Sequence, residues 1–163
     1  MPKTYEPIQS QTLSVATATV TFSSIPSTYT DLKLVIDGNN TSIASRSGYI
    51  RFNGDTGTNY SFTYLHGISG DSNLGASGTG STVAQSTFSN ILNDRTSVIM
   101  HILGYSNTTK QKAFLARGNA SSNVQLYTGL WRSTAAINSL SLFLNADSWA
   151  IGTIFTLYGI KAA

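Results

Sequence analysis

"DLKLVID", Asp31 to Asp37, alternates strictly: Leu32, Leu34 and Ile36 fall on one side, Lys33 and Val35 on the other. A half-buried β-strand imposes this period of two, because successive side chains leave opposite faces of the pleat. The same period recurs along the chain. "GYIRF" sets Tyr49 and Arg51 against Ile50 and Phe52. "INSLSLFLNA" sets Leu140, Leu142 and Leu144 against Ser139 and Ser141. "TLSVATATVTF", "QKAFLARG", "VQLYTGLW" and "TIFTLYGI" read alike, with Tyr127 and Trp131 sharing one side of theirs. "TSVIMHILGY" is apolar on both sides and reads as a central strand covered on both faces. About eight strands result, punctuated by turn residues such as Asp37-Gly38, Asn53-Gly54 and Arg117-Gly118-Asn119.

Helical periodicity is weak. "STVAQSTFSNIL" is the best helix candidate, with Val83, Phe88, Ile91 and Leu92 loosely spaced, and "NYSFTYLHG" could form a short helical turn. "ISGDSNLGASGTGST", Ile68 to Thr82, reads as a Gly/Ser-rich surface loop and a contact segment. The predicted fold is all-β: a single-domain antiparallel β-sandwich, jelly-roll-like, over residues 12–163. A short extended N-terminal arm, residues 1–11, precedes it.

Composition narrows the function classes. The chain has 163 residues, enough for one domain that buries roughly 70% of its extended-chain surface. Hydrophobic residues make up 40%, but charged residues only 10%, so Ser, Thr, Asn and Gly supply the polar surface. The net charge of +3 comes from Lys and Arg scattered singly, without the basic stripe that nucleic acid requires. Without cysteine, disulfides, thiolate metal sites and cysteine nucleophiles are excluded. No apolar run approaches the ~20 residues of a membrane span, and the opening "MPKTYEPIQSQTLS" lacks the apolar segment of a signal peptide.

"GYIRFNGDTGTNYSFTYLHG", Gly48 to Gly67, gathers Asn53, Asp55, Asn59 and five aromatics. With one carboxylate and no Glu it lacks the ligands of an EF-hand loop. It reads instead as a structural turn on Asn53-Gly54 and Asp55-Thr56-Gly57, with an aromatic plug behind it. "GASGTGS" lacks the lysine of a phosphate loop. His101 lies in the most apolar strand and is expected to be packed and hydrogen-bonded; His66 follows an aromatic run. Neither comes with partners that define a reaction, so no catalytic residue, metal or cofactor is expected and the chain is read as a non-enzyme. Tyr127, Trp131 and Trp149 could stack on sugar rings, although tryptophans usually plug a core or an interface.

Several phrases carry a resemblance. "IPSTYTDLKLVIDG", "IRFNGDTGTNYSFTYLHG", "LWRSTAAINSLSLFL" and the ending "GTIFTLYGI" resemble a family of small tailed-phage virion proteins. The matching patterns lie at Ile25 to Leu32, Phe52 to Tyr60 and Phe155 to Ile160. The family is similar to capsid decoration (cement) proteins and to tail-fibre or receptor-binding modules. The resemblance implies a jelly-roll β-sandwich on the capsid surface of a virion, made in the host cytoplasm. It implies the major capsid protein as partner, in a closed homo-oligomer, a dimer or trimer. The arm, with Lys3, Tyr5, Pro7 and Ile8, is the expected partner-binding segment. No heptad or repeat that a fibre shaft would use is present, which favours decoration. The alternative is a tail module binding host surface glycan through Tyr127, Trp131 and Trp149. No nucleic-acid or membrane partner is expected.

Overall fold

Every regular element is a strand. In this computed structural model, which describes residues 4–68, 74–91, 95–120 and 123–161, no described residue is helical. In chain order the strands are β1 (Tyr5–Thr12), β2 (Thr19–Phe22), β3 (Asp31–Gly38), β4 (Arg46–Phe52), β5 (Tyr60–Ile68) and β6 (Leu74–Ser81). They continue with β7 (Ala84–Ile91), β8 (Thr96–Ile102), β9 (Lys112–Ala120), β10 (Asn123–Trp131), β11 (Leu140–Leu144) and β12 (Ile154–Ile160). One sheet has the order β1-β12-β3-β8-β9-β10-β5-β6, the other β2-β11-β4-β7.

The pairing explains the architecture. Apart from the hairpins β5–β6 and β9–β10, the remaining strands pair first with last and inward: β1 with β12, β2 with β11, β3 with β8, β4 with β7. A long hairpin rolled up in this way is a jelly roll. The two hairpins then continue the larger sheet beyond β8. β7 of the smaller sheet lies against β9, β10 and β5 of this extension.

Alternation places the core. Leu32, Leu34 and Ile36 face Ile50, Phe52, Leu140 and Leu142 across the sandwich, and all are buried. Val98, Met100 and Ile102 of β8 join them, with Phe155 and Leu157 of β12. At one end Trp149 packs edge-on against Phe155, with ring centroids 5.0 Å apart.

The all-β sandwich agrees with the sequence reading, but several elements differ. Of the extended arm expected over residues 1–11, residues 5–11 are extended but belong to the sheet: with Thr12 they form the strand β1, hydrogen-bonded along β12. Their polarity hid a strand that has only one neighbour among the described residues, and Pro7 sits where the register breaks before Gln9, a position that edge strands tolerate. The expected boundary after residue 11 therefore falls inside a strand of the sheet. The helix candidate is strand β7, because tertiary pairing with β4 overrides a loose helical spacing. The helical turn expected at Asn59 to Gly67 is strand β5, and residues 74–81 of the expected loop are strand β6. Residues 69–73 of that loop lie outside the described residues. β8 is central, but its burial alternates: only one of its faces meets the other sheet. Gly118, read as part of a turn, lies within β9, where an added Cβ would come within 2.8 Å of the Ser97 carbonyl.

Candidate interaction surface

The turn after β4 anchors the sheet extension. Asn53 and Gly54 take positive φ angles, 51° and 67°, which Asn and Gly accept most easily. Asn53 Oδ1 accepts from the amides of Asn138 (2.9 Å) and Ser139 (3.2 Å), while its Nδ2 donates to the Ala136 carbonyl (2.8 Å). Asp55 receives three donors: the Gly57 amide (2.8 Å), Asn59 Nδ2 (2.9 Å) and the Trp131 indole N–H (2.6 Å). Burial pushes the Asp55 carboxyl up, but these three hydrogen bonds, with Arg51 nearby, outweigh it and hold the group below its ordinary range. The stretch is thus a turn whose carboxylate is consumed by its own scaffold.

Behind it stands the aromatic plug. Phe52 packs against Trp131 at 5.6 Å, Phe114 at 5.9 Å and Tyr60 at 6.2 Å between ring centroids. Tyr60 stacks on Trp131, and its hydroxyl accepts from the Phe52 amide (3.0 Å). Burial is the main cause that pushes the Tyr60 phenol up to about 12. Beside Trp131 in the ladder, Lys112 is fully buried and donates to the carbonyls of Lys110 (2.6 Å) and Thr134 (3.1 Å). Burial pushes its ammonium down. Further along, Tyr64 stacks on His66, whose Nε2 is hydrogen-bonded to the Tyr127 hydroxyl. Burial lowers the pKa of His66.

These positions redirect the site expectations. Trp131, Tyr127 and Trp149 are 2%, 1% and 1% exposed, so none offers a face to a sugar ring. They share the alternation of the core: Trp131 pairs with Tyr60 and Tyr127 with Tyr64 on the inner face of β10 and β5. Of the arm residues, Tyr5 and Pro7 are exposed on β1, Ile8 packs partly against the core, and Lys3 lies outside the described residues. His101, expected to be packed and hydrogen-bonded, is only half-buried on the outer face of β8, and its buried Nε2 has no hydrogen-bond partner. Burial, then Lys33 and Arg117, push its pKa down.

What the sequence reading missed is the outer face of the large sheet. Two adjacent rows of side chains cross it. One runs Val35, Ile99, Arg117, Leu126, Leu65; the other runs Lys33, His101, Leu115, Thr128, Thr63, Ser77. On the extension, Leu65 is 60%, Leu115 43% and Leu126 42% exposed, and Val124 beside them is 66% exposed. Large aliphatic side chains so grouped on one sheet face make it the candidate for an interaction surface, unlike scattered single ones. The signal was present in "FLARG" and "VQLYTGL", where both strand faces carry apolar residues. Next to these leucines a trough of about 430 Å³ is lined by Ser61, Thr63, Ser77, Thr79 and Thr128 together with Phe62, Ala113 and Leu130. A second group of exposed aliphatics, Val15, Ile43 and Ile151, projects from loops at one end of the sandwich. Backbone hydrogen bonds tie these loops together, Thr17 to Trp149, Thr41 to Ser148 and Ala150 to Asn39.

No protein family and no curated protein matches the sequence. Among solved structures, the chain is similar to an alginate lyase variant in complex with alginate tetrasaccharide, at 8% identity and a TM-score of 0.32, over 94% of this chain and 80% of that one. It is also similar to a protein of unknown function from Shewanella oneidensis MR-1, at 9% identity and a TM-score of 0.24, over 98% of this chain and 77% of that one. Likeness at this level names no function for the chain.

Proposed function

We propose that the chain is a capsid decoration protein, a structural rather than catalytic component. It binds the outside of a phage head as a homo-oligomer and stabilises contacts between major capsid subunits. The observation that carries this reading is the apolar outer face of β9, β10 and β5, centred on Leu126 and Leu65 and backed by the aromatic plug. Side chains carried on a hydrogen-bonded sheet lose less conformational entropy on docking than those of a loop. Hydroxyls and few charges around it suit a wide, wet contact with a shell. Each contact is modest, but repetition on a symmetric shell multiplies it into avidity. The phrases at Ile25 to Leu32, Phe52 to Tyr60 and Phe155 to Ile160 support the same reading by resemblance.

The test is co-sedimentation of the purified chain with heads of its phage that lack it. The wild type is expected to pellet saturably, and Leu126→Lys to lose at least about tenfold in affinity, because a charge at the contact centre must be desolvated. Ile43→Lys, at the loop end, is expected to bind like wild type. Heads that take up no protein would overturn the proposal. Loss through Ile43→Lys alone would move the contact to the loop end and refute the outer-face assignment.

The trough beside Thr63 and Thr128 gives the tail-module reading a different site from the buried aromatics. Under that reading, host polysaccharide binds across Thr63 and Thr128. Binding of the chain to host envelopes, abolished by Thr128→Val with heads left unbound, would favour it.

A further inference from the structure

We propose that the outer face carries a carboxylate pocket between His101 and Arg117, with Lys33 alongside, and that it takes an Asp or Glu side chain of the capsid subunit on which this face docks. The capsid source rests on the decoration reading; the pocket itself does not. The three residues are far apart in the chain, and three neighbouring strands bring them together. Lys33 of β3 stands opposite His101 of β8. Arg117 of β9 stands opposite Ile99, two residues before His101 on the same face of β8. A hollow of about 140 Å³ lies between His101 and Arg117, with Ile99 and Leu115 as its apolar walls.

The three groups lack the same thing, an oxygen anion. His101 Nε2 is buried with no hydrogen-bond partner, a state that costs free energy until it is relieved. Arg117 is exposed and makes no ion pair among the described residues. Lys33 Nζ lies 4.9 Å from the centre of the Tyr5 ring, a contact that leaves its charge in place. The described carboxylates are engaged elsewhere: Glu6 with Lys161, Asp37 with Arg95, Asp147 with Arg46 and Asp55 with Trp131. Asp31, whose field reaches His101, accepts from the Gly104 amide at 2.6 Å. A carboxylate in the hollow would accept from the imidazole N–H and from the Arg117 guanidinium, whose fork matches its geometry. Two cations fall far short of the stripe that a polyphosphate backbone requires. Apolar walls and the leucines beside them suit a single anion carried on a protein surface.

Imidazole chemical shifts of the full chain test the pocket, with His66 as internal control. Blocked glutamate (N-acetyl-glutamate amide) is expected to move the His101 signals saturably and to leave those of His66 in place. Blocked glutamine, of the same shape without the charge, is expected to move neither. Arg117→Gln is expected to weaken the glutamate at least about threefold. A bound carboxylate favours the imidazolium against the opposing fields of Lys33 and Arg117. His101 should therefore titrate at higher pH with glutamate than without it, and binding should tighten as pH falls. His101 signals indifferent to glutamate, or moved equally by glutamine, would overturn the pocket; inorganic phosphate binding more tightly than glutamate would refute the carboxylate. In co-sedimentation with heads, Arg117→Glu is expected to lose at least about tenfold in affinity. Arg117 is exposed, so an unchanged melting curve shows that this variant is folded. Heads that bind Arg117→Glu like wild type, while Leu126→Lys is lost, would refute the capsid carboxylate and leave decoration standing. Heads that take up no protein would remove decoration and with it the capsid source, while the glutamate titration still decides the pocket.

Discussion

Trp131→Ala lowers the stability of the fold by about 3–5 kcal/mol, the usual cost of emptying a buried tryptophan site. For a chain of this length that corresponds to a fall in melting temperature of about 6–20 °C. The size follows from two losses at once. The indole ring fills the space between Phe52 and Tyr60, and its N–H is a donor to the Asp55 carboxylate at 2.6 Å. Trp131→Phe separates them: much of the ring volume stays and the hydrogen bond goes. It is expected to cost about 1.5–3 kcal/mol at neutral pH, the range for a bond to a charged group. The pH dependence has a definite sign. The Asp55 carboxyl is depressed in the folded chain, so its contribution is present above the unfolded pKa and is lost as pH falls through the lower folded pKa. The gap between wild type and Trp131→Phe should therefore narrow in acid. Thermal melts of the three proteins from neutral to acid pH check this. A Trp131→Ala chain as stable as wild type would remove the plug from the account.

Gly129→Val is expected to cost about 3 kcal/mol or more, at the upper end for overpacking a core. A Cβ at Gly129 would stand 2.0 Å from the tip of the Phe114 ring. That ring cannot swing away, because it is fully buried and packed edge-on against Phe52. β10 would have to leave β9 or the plug would have to open. Gly54→Ala is the useful contrast, since no atom lies within 4 Å of its added Cβ. Its cost is only that of a positive φ, about 1 kcal/mol. Chemical denaturation of both variants gives the comparison. Equal, small losses would show that the ring at Phe114 is not fixed.

The legible part of this fold was the part with alternation and one buried face. Leu32, Leu34 and Ile36, or Leu140, Leu142 and Leu144, announce their strands because each inward residue is apolar and each outward one less so. β1 and β6 carry no such contrast. Their sequences, "YEPIQSQT" and "LGASGTGS", belong to edge positions, where one side of the strand has no neighbour among the described residues. β7 was misread because Val83, Phe88 and Ile91 mimic a helical stripe, while its pairing with β4 is decided by residues far along the chain. The Asn53 to Asn59 turn was legible as a turn, since Asn-Gly and Asp-x-Gly carry their own conformational preference. The tryptophan that completes it was not, because Trp131 reaches Asp55 only through the β5–β10 ladder. The outer face escaped for a related reason. Leu65, Leu115 and Leu126 look like core residues in one dimension, and only the topology shows that no second layer among the described residues covers them.

Immuno-gold electron microscopy of intact virions, with antibody raised against this chain, tests the decoration role most directly. The account predicts label distributed over the surface of the head. Label confined to the tail tip, or particles that stay bare beside a labelled control, would contradict it.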